Sequence, residues 1–220
     1  MFIGMKRIAF IFFAHFWAVS LFAQGEPVAT TMVSSNLKIA YNGSIVYPGL
    51  RCGLEFPIRQ TDLKAILKNN AWKNVSKKRY ATLELGYYHH PSFHDNVFLL
   101  LGWQTRKQRP KGFFTEFTSA LGYSRTFLGG ETYLVDNNTG NIGRVHQAGY
   151  NYAVLALGGG LGYAFRHKSA LYLRTSLLTM FPSINIIYPR PTVDLGVVWQ
   201  PKHFLTTRLK VVSKLKTRKP

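Results

Sequence analysis

The chain has 220 residues, of which 46% are hydrophobic, 15% aromatic and only 17% charged, against about a quarter charged in an ordinary soluble domain. Its formal charge is +19, a balance that points to an acidic partner. No apolar run reaches the ~20 residues of a transmembrane helix, and the lone Cys52 excludes an internal disulfide framework.

In chain order, the first residues read as an export signal. Lys6 and Arg7 precede the apolar run Ile8 to Phe22, and Ala23 supplies a small residue before Gln24. This three-part layout predicts a signal peptide over residues 1–23, removed on export; the alternative is a short N-terminal membrane anchor. No Cys follows the apolar run, so a lipoprotein anchor is not expected. Loss of Lys6 and Arg7 leaves a charge of +17. An exported chain meets little nucleic acid, so the acidic partner expected here is a phosphorylated lipid headgroup or another acidic component of the envelope.

Residues 24–200 are expected to form the barrel domain, and several windows within them alternate with period two, the signature of strands. Asn36 to Ile45 leads into a turn with Asn-Gly and Pro-Gly signals. Leu50, Cys52, Leu54 and Phe56 share a face opposite Arg51, Gly53 and Glu55. Cys52 sits among apolar residues, where a thiol is inert. Arg59 to Lys78 mixes Leu63, Ile66, Leu67 and Trp72 with lysines. With Thr61 or Asp62 as N-cap it reads as a short helix on the membrane surface, or as a solvated connection. Ala81, Leu83, Leu85 and Tyr87 oppose Thr82, Glu84, Gly86 and Tyr88, and Val97, Leu99, Leu101 and Trp103 oppose Phe98, Leu100, Gly102 and Gln104.

Between those strands, "HHPSFHD" gathers His89, His90, Ser92, His94 and Asp95. Such a group reads as a polar turn at a membrane interface, as a transition-metal site, or as the parts of an acyl-transfer site.

Phe113, Phe117, Leu121, Tyr123 and Phe127 oppose Glu116, Thr118, Ala120, Gly122 and Ser124. Leu128 to Gly149 is a long loop with its tip at Asp136 to Asn141; one carboxylate there is too few for calcium. Leu155, Leu157 and Leu161 oppose Ala156, Gly158, Gly160 and Gly162; Leu171, Leu173 and Leu177 oppose Tyr172, Arg174 and Ser176; Val193, Leu195, Val197 and Trp199 oppose Asp194, Gly196 and Gln200. Residues 201–220 carry Lys202, Arg208, Lys210, Lys214, Lys216, Arg218 and Lys219 with no acid, and read as a disordered basic tail or, alternatively, as one that attaches electrostatically to lipid headgroups or an acidic envelope partner. "HFLTTRLKVV" within it is the alternative to Asn36–Ile45 as an eighth strand.

The seven windows other than Asn36–Ile45 contain no Lys, although Lys is abundant elsewhere. Their polar faces hold Gly, Ala, Ser and Thr with a few Arg, Glu and Asp, which suits the filled interior of a barrel of about eight strands. The apolar faces, edged by Tyr, Trp and Phe, then meet lipid. A sheet crossing hydrocarbon must close, and such barrels use an even strand number. The fold class predicted is an all-β, eight-stranded, antiparallel up-and-down transmembrane β-barrel. Its interior would hold Arg51, Glu55, Glu84, Glu116, Arg174 and Asp194, paired as a plug or, alternatively, lining a small pore.

"FAQ" at the cleavage region, "YNGSIVYPGLRCGLEFPI" and the Gly- and Tyr-rich strands together resemble small outer-membrane β-barrel proteins of the Bacteroidota type. The resemblance implies location in the cell outer membrane among its lipids and lipopolysaccharide, a structural or surface-interaction role, and no cofactor, metal or assigned catalytic residue. Some outer-membrane barrels act on lipid A with a His and a Ser or Asp at the outer rim. The compact His/Ser strand motif of the deacylase type is absent here. The alternative enzyme would use the residues of His89 to Asp95 with Ser124 or His146 as partners. A further alternative is a soluble exported barrel with the leucines inward around an apolar ligand.

Overall fold

The computed structural model describes residues 29–44, 47–66, 72–91, 93–135, 140–165, 168–182 and 187–216. The predicted signal peptide and the loop tip at 136–139 lie outside them, as does Ser92. Twelve strands account for the described secondary structure: β1 Ala29–Val33, β2 Asn36–Gly43, β3 Gly49–Ile66, β4 Trp72–His90, β5 His94–Gln108, β6 Phe113–Leu128, β7 Thr132–Val135, β8 Ile142–Val145, β9 Gly149–Ala164, β10 Ser169–Pro182, β11 Tyr188–Trp199 and β12 Thr207–Lys216.

Eight of these, β2, β3, β4, β5, β6, β9, β10 and β11, pair antiparallel in succession, and β11 pairs back onto β2. The ladder therefore forms a ring of pairings. β7 and β8 form a separate hairpin in the connection between β6 and β9. The turn at 109–112 and the connection from β9 to β10 lie at the end of the ring where β2 begins and β11 ends, here the base. The connections 44–48, 91–93 and 129–148 lie at the other, the loop end.

Each ring strand alternates one residue in and one out, as the pleat requires. The direction is the informative part. Leu157, Leu161, Leu173 and Leu177 are exposed on the outside of the ring, whereas Val154, Ala156, Gly158 and Gly162 are buried within it. Exposed tyrosines Tyr41, Tyr87, Tyr123, Tyr150 and Tyr188 lie toward the loop end, and Tyr163, Phe165 and Trp199 toward the base. This arrangement overturns the ligand-binding alternative, which needs the leucines inside.

The strand that completes the ring is Asn36–Gly43, and "HFLTTRLKVV" contributes instead to a sheet outside it. β3 pairs with β2 only as far as Glu55. Beyond a register shift between Pro57 and Arg59, it pairs with β4 on one side and in parallel with β12 on the other. β1 then adds antiparallel to β12. Pro57 has no N–H to offer a ladder, so it suits the point where β3 exchanges one neighbour for another.

Two expectations are corrected here. Arg59–Lys78 contains no described helix; Arg59–Ile66 and Trp72–Arg79 are the two arms of a hairpin that prolongs β3 and β4 past the ring. The basic segment after residue 200 is not wholly a tail, because Thr207–Lys216 is strand β12. In both places ladder bonds to a distant strand decide the backbone, over any local helical or disordered preference.

Candidate functional site: a charged interior and an outer rim

The interior of the ring has three layers. The layer toward the loop end is mainly apolar, with Phe98, Leu100, Val154, Leu178 and Met180 packed on Tyr88, whose ring also meets the buried Arg190. The layer toward the base contains Phe114, Tyr172 and Val198. Between them lies an ion-pair network.

Arg174 reaches across from β10 and grips Glu84 of β4 in a fork, Nη1 to Oε1 at 2.9 Å and Nη2 to Oε2 at 3.0 Å. Its Nε donates to Asp194 of β11 at 2.7 Å. Arg51 of β3 joins the same two acids at 3.3 and 3.1 Å, and Asn42 donates to Asp194. Nearer the base, Arg106 of β5 binds Glu55 at 2.9 Å and Glu116 at 3.0 Å. Gln104 donates to both of those carboxylates. Lys38 of β2 links the two halves, at 3.4 Å from Glu55, 3.5 Å from Glu84 and 3.8 Å from Glu116.

The six interior residues named from the sequence thus meet in one network. Gln104, read from the sequence on the inward face, joins it, and Lys38, Arg106 and the amides Asn36 and Asn42, which the sequence reading missed, complete it. Arg106 and Gln104 continue the inward phase Phe98, Leu100, Gly102, so extending the alternation past Gln104 would have found Arg106. Lys38 was missed because the absence of Lys from the other windows argued against any interior lysine. β9 contributes no charged group, and its glycines explain why. A Cβ on Gly160 would meet the Cβ of Arg174 at 3.1 Å, and one on Gly162 would run into the ring of Phe114. The glycine row leaves room for the network and the ring beneath it.

Rings cover the charges on both sides. Arg51 lies 5.1 Å from the Phe98 ring centroid, Arg106 4.6 Å from Phe114, and Lys38 4.6 Å from Tyr172. Charges removed from water in this way are compensated only by good geometry, and stripping one partner typically costs about 3–5 kcal/mol.

At the loop end the histidine group divides between the two sides of the sheet. Outside, His89 Nδ1 is 2.6 Å from Asp95 Oδ1, and Tyr87 donates to the same oxygen at 2.9 Å. On the inner side His90 and His94 stack at 5.3 Å beside Tyr47. Ser124 is buried inside, donating to Asn96 at 2.8 Å, and His146 is exposed in the turn after β8. Among the described residues these groups neither assemble a nucleophile–base pair nor form a cluster able to hold a metal ion. The exposed Cys52 lies on the outer wall, between Ile39 and Leu85 in the ladder.

Outside the ring, burial and then the charge of Arg106 hold the Lys78 ammonium below the ordinary lysine range, against the pull of Asp62. In the β7–β8 connection, Tyr133 is raised by its hydrogen bond to Glu131.

No protein-family model matches the chain, and no curated protein matches it. Among solved structures, neisserial surface protein A is 13% identical, over 80% of this chain and 100% of its own, with a TM-score of 0.41. The Yersinia pestis outer membrane protein Ail, solved in a phospholipid bilayer nanodisc, is 13% identical over 77% of this chain and 99% of its own, at 0.36. The β domain of the Bordetella autotransporter BrkA is 12% identical over 75% of this chain and 67% of its own, at 0.34.

Proposed function

We propose that the chain is an eight-stranded transmembrane β-barrel of the cell outer membrane, delivered there by a cleaved signal peptide. Its interior is a solid plug, and its role is structural or one of surface interaction through the loop end. The sequence resemblance extends this reading to the Bacteroidota type of barrel. One observation carries it: the wall is inverted relative to a soluble sheet. Leucines with aromatic bands at both rims face outward, and nine charged side chains (Lys38, Arg51, Glu55, Glu84, Arg106, Glu116, Arg174, Arg190 and Asp194) are buried inside. Water would favour the reverse, and hydrocarbon favours this.

Orientation follows from connection length. The longest connection, 129–148, lies at the loop end, and long connections of such barrels face outward from the cell, so the proposal puts the loop end outside and the base in the periplasm. The base carries Lys77, Lys107, Arg109, Lys111, Lys168, Lys202, Arg208 and Lys210, with Asp62 in the same sheet. This basic rim fits inner-leaflet phosphate headgroups or an acidic envelope partner, with each Lys or Arg near an anionic surface contributing about 1 kcal/mol.

Cys52 offers a direct test. A nitroxide attached to it in lipid vesicles should be relaxed strongly by oxygen and weakly by a water-soluble nickel chelate. The opposite ranking would place the leucine wall in water and end the proposal.

A further inference from the structure

Beyond the plug, the charges of the interior do not balance. Five buried cations, Lys38, Arg51, Arg106, Arg174 and Arg190, accompany four buried carboxylates, Glu55, Glu84, Glu116 and Asp194. The first four cations share the four acids. Arg190 is the remainder. It is 7% exposed, on the inward phase of β11, and among the described residues it has no ion-pair partner. Among the described residues its buried Nε, Nη1 and Nη2 reach no acceptor at hydrogen-bonding geometry, and the group that interacts with it most directly is the Tyr88 hydroxyl, which brings no counter-charge. Arg51 also leaves Nε and Nη2 unmatched, but its Nη1 holds two carboxylates.

What surrounds Arg190 is a set of rings. Its guanidinium carbon lies 3.2 Å from the centroid of Tyr88 and 5.1 Å from that of Tyr47. Tyr47 in turn packs 4.8 Å from His90 and 6.2 Å from His94. Stacking on aromatic faces favours a cation, yet it leaves the in-plane N–H donors of the guanidinium unused. Buried donors of a charged group without acceptors are strongly disfavoured. Tyr47, His90 and His94 are only partly buried, so the cage opens toward the loop end.

We infer that Arg190, with Tyr47, Tyr88, His90 and His94, forms a binding site for a single phosphate group entering from the loop end. The planar fork of arginine matches a phosphate by paired hydrogen bonds. The Tyr47 and Tyr88 hydroxyls and the His94 imidazole are further donors suited to its remaining oxygens, whereas His90 gives its Nδ1–H to the Pro91 carbonyl at 2.7 Å and contributes as a wall of the cage. Phosphate here is either inorganic or carried on a lipid headgroup of the surrounding leaflet.

The test uses the full chain refolded in detergent micelles, with folding checked by heat-modifiable gel mobility. Inorganic phosphate is titrated by calorimetry at constant ionic strength against wild type, Arg190→Gln, Arg190→Lys and the base-end control Lys202→Gln. Saturable one-site binding is expected for wild type and Lys202→Gln. Arg190→Gln should weaken it about ten- to a hundred-fold, the range of a charged hydrogen bond. Arg190→Lys, which keeps the charge but loses the fork, should weaken it less and carries the test if Arg190→Gln does not fold. A second arm repeats the titration in nanodiscs with and without lipopolysaccharide. Loss of phosphate binding only with lipopolysaccharide assigns the site to the lipid, and unchanged binding assigns it to the free anion. Equal affinity of wild type and the folded Arg190 variants, or no saturable phosphate binding by wild type, overturns the proposal. Because the micelle arm reads the site without reference to cellular location, its failure is separable from failure of the Cys52 test.

Discussion

Gly159 and Gly162 are three residues apart on β9, and they face opposite ways. A Cβ at Gly159 would meet only the Glu116 carbonyl oxygen, at 3.9 Å, whereas one at Gly162 would strike the Phe114 ring that Arg106 stacks on. Neither has a positive φ. Gly159→Ala should therefore be neutral or stabilise by about 0.4–1 kcal/mol, through loss of unfolded-state freedom. Gly162→Ala should cost about 1–3 kcal/mol as an overpacking substitution. Urea unfolding in lipid vesicles, followed by tryptophan fluorescence, measures both, and a reversed order would mean that β9 is turned the other way. Face assignment at this scale was legible because period two is strict along β9. Arg106 and Arg190 were not legible, because each lies just past the apolar stretch that marked its strand. Arg190 nevertheless continues the inward phase of Thr192, Asp194 and Gly196.

The elements of the ring were readable one strand at a time, since each carries its own apolar face and most of the connections carry Gly, Asn or Pro. The sheet below the ring was not. Arg59–Ile66 and Trp72–Arg79 present no clean apolar face, and the lysines scattered through them obscure any period. What makes them strands is pairing with each other and with β12, whose Lys210 lies opposite Arg59 in a parallel ladder. That partner stands far along the chain, where no local window can register it. The same geometry sets a prediction. A chain ending at residue 206 lacks β12 and leaves the Arg59–Ala65 edge of β3 unpaired, while every ring pairing survives. It should keep its heat-modifiable gel mobility, and trypsin should cut between Arg59 and Arg79 faster than in the full chain. Loss of the mobility shift would show that the ring depends on the sheet beneath it, contrary to the pairing order.

For the molecule as a whole, the question is whether the ring conducts. About eight strands enclose a space that side chains can fill, and here they fill it three times over. An open path would need simultaneous displacement of the apolar layer around Phe98 and Leu100, the ion-pair network, and the layer of Phe114 and Tyr172. The network resists displacement because every acid in it binds at least two cations, and Glu84 alone binds Lys38, Arg51 and Arg174. Separating them within the buried interior leaves charges unpaired, which is the costly outcome for buried ions. Wild type should therefore show no steady single-channel steps in a planar bilayer. The double variant Glu84→Ala, Arg174→Ala sharpens the point, since it removes the central fork together with both of its charges. If the ion pairs were the only barrier, that variant would conduct. The layered packing predicts that it stays silent, because the rings on either side remain, and that its loss appears in unfolding stability. Resolved steps in wild type would instead mean that the interior is a gate held by charge.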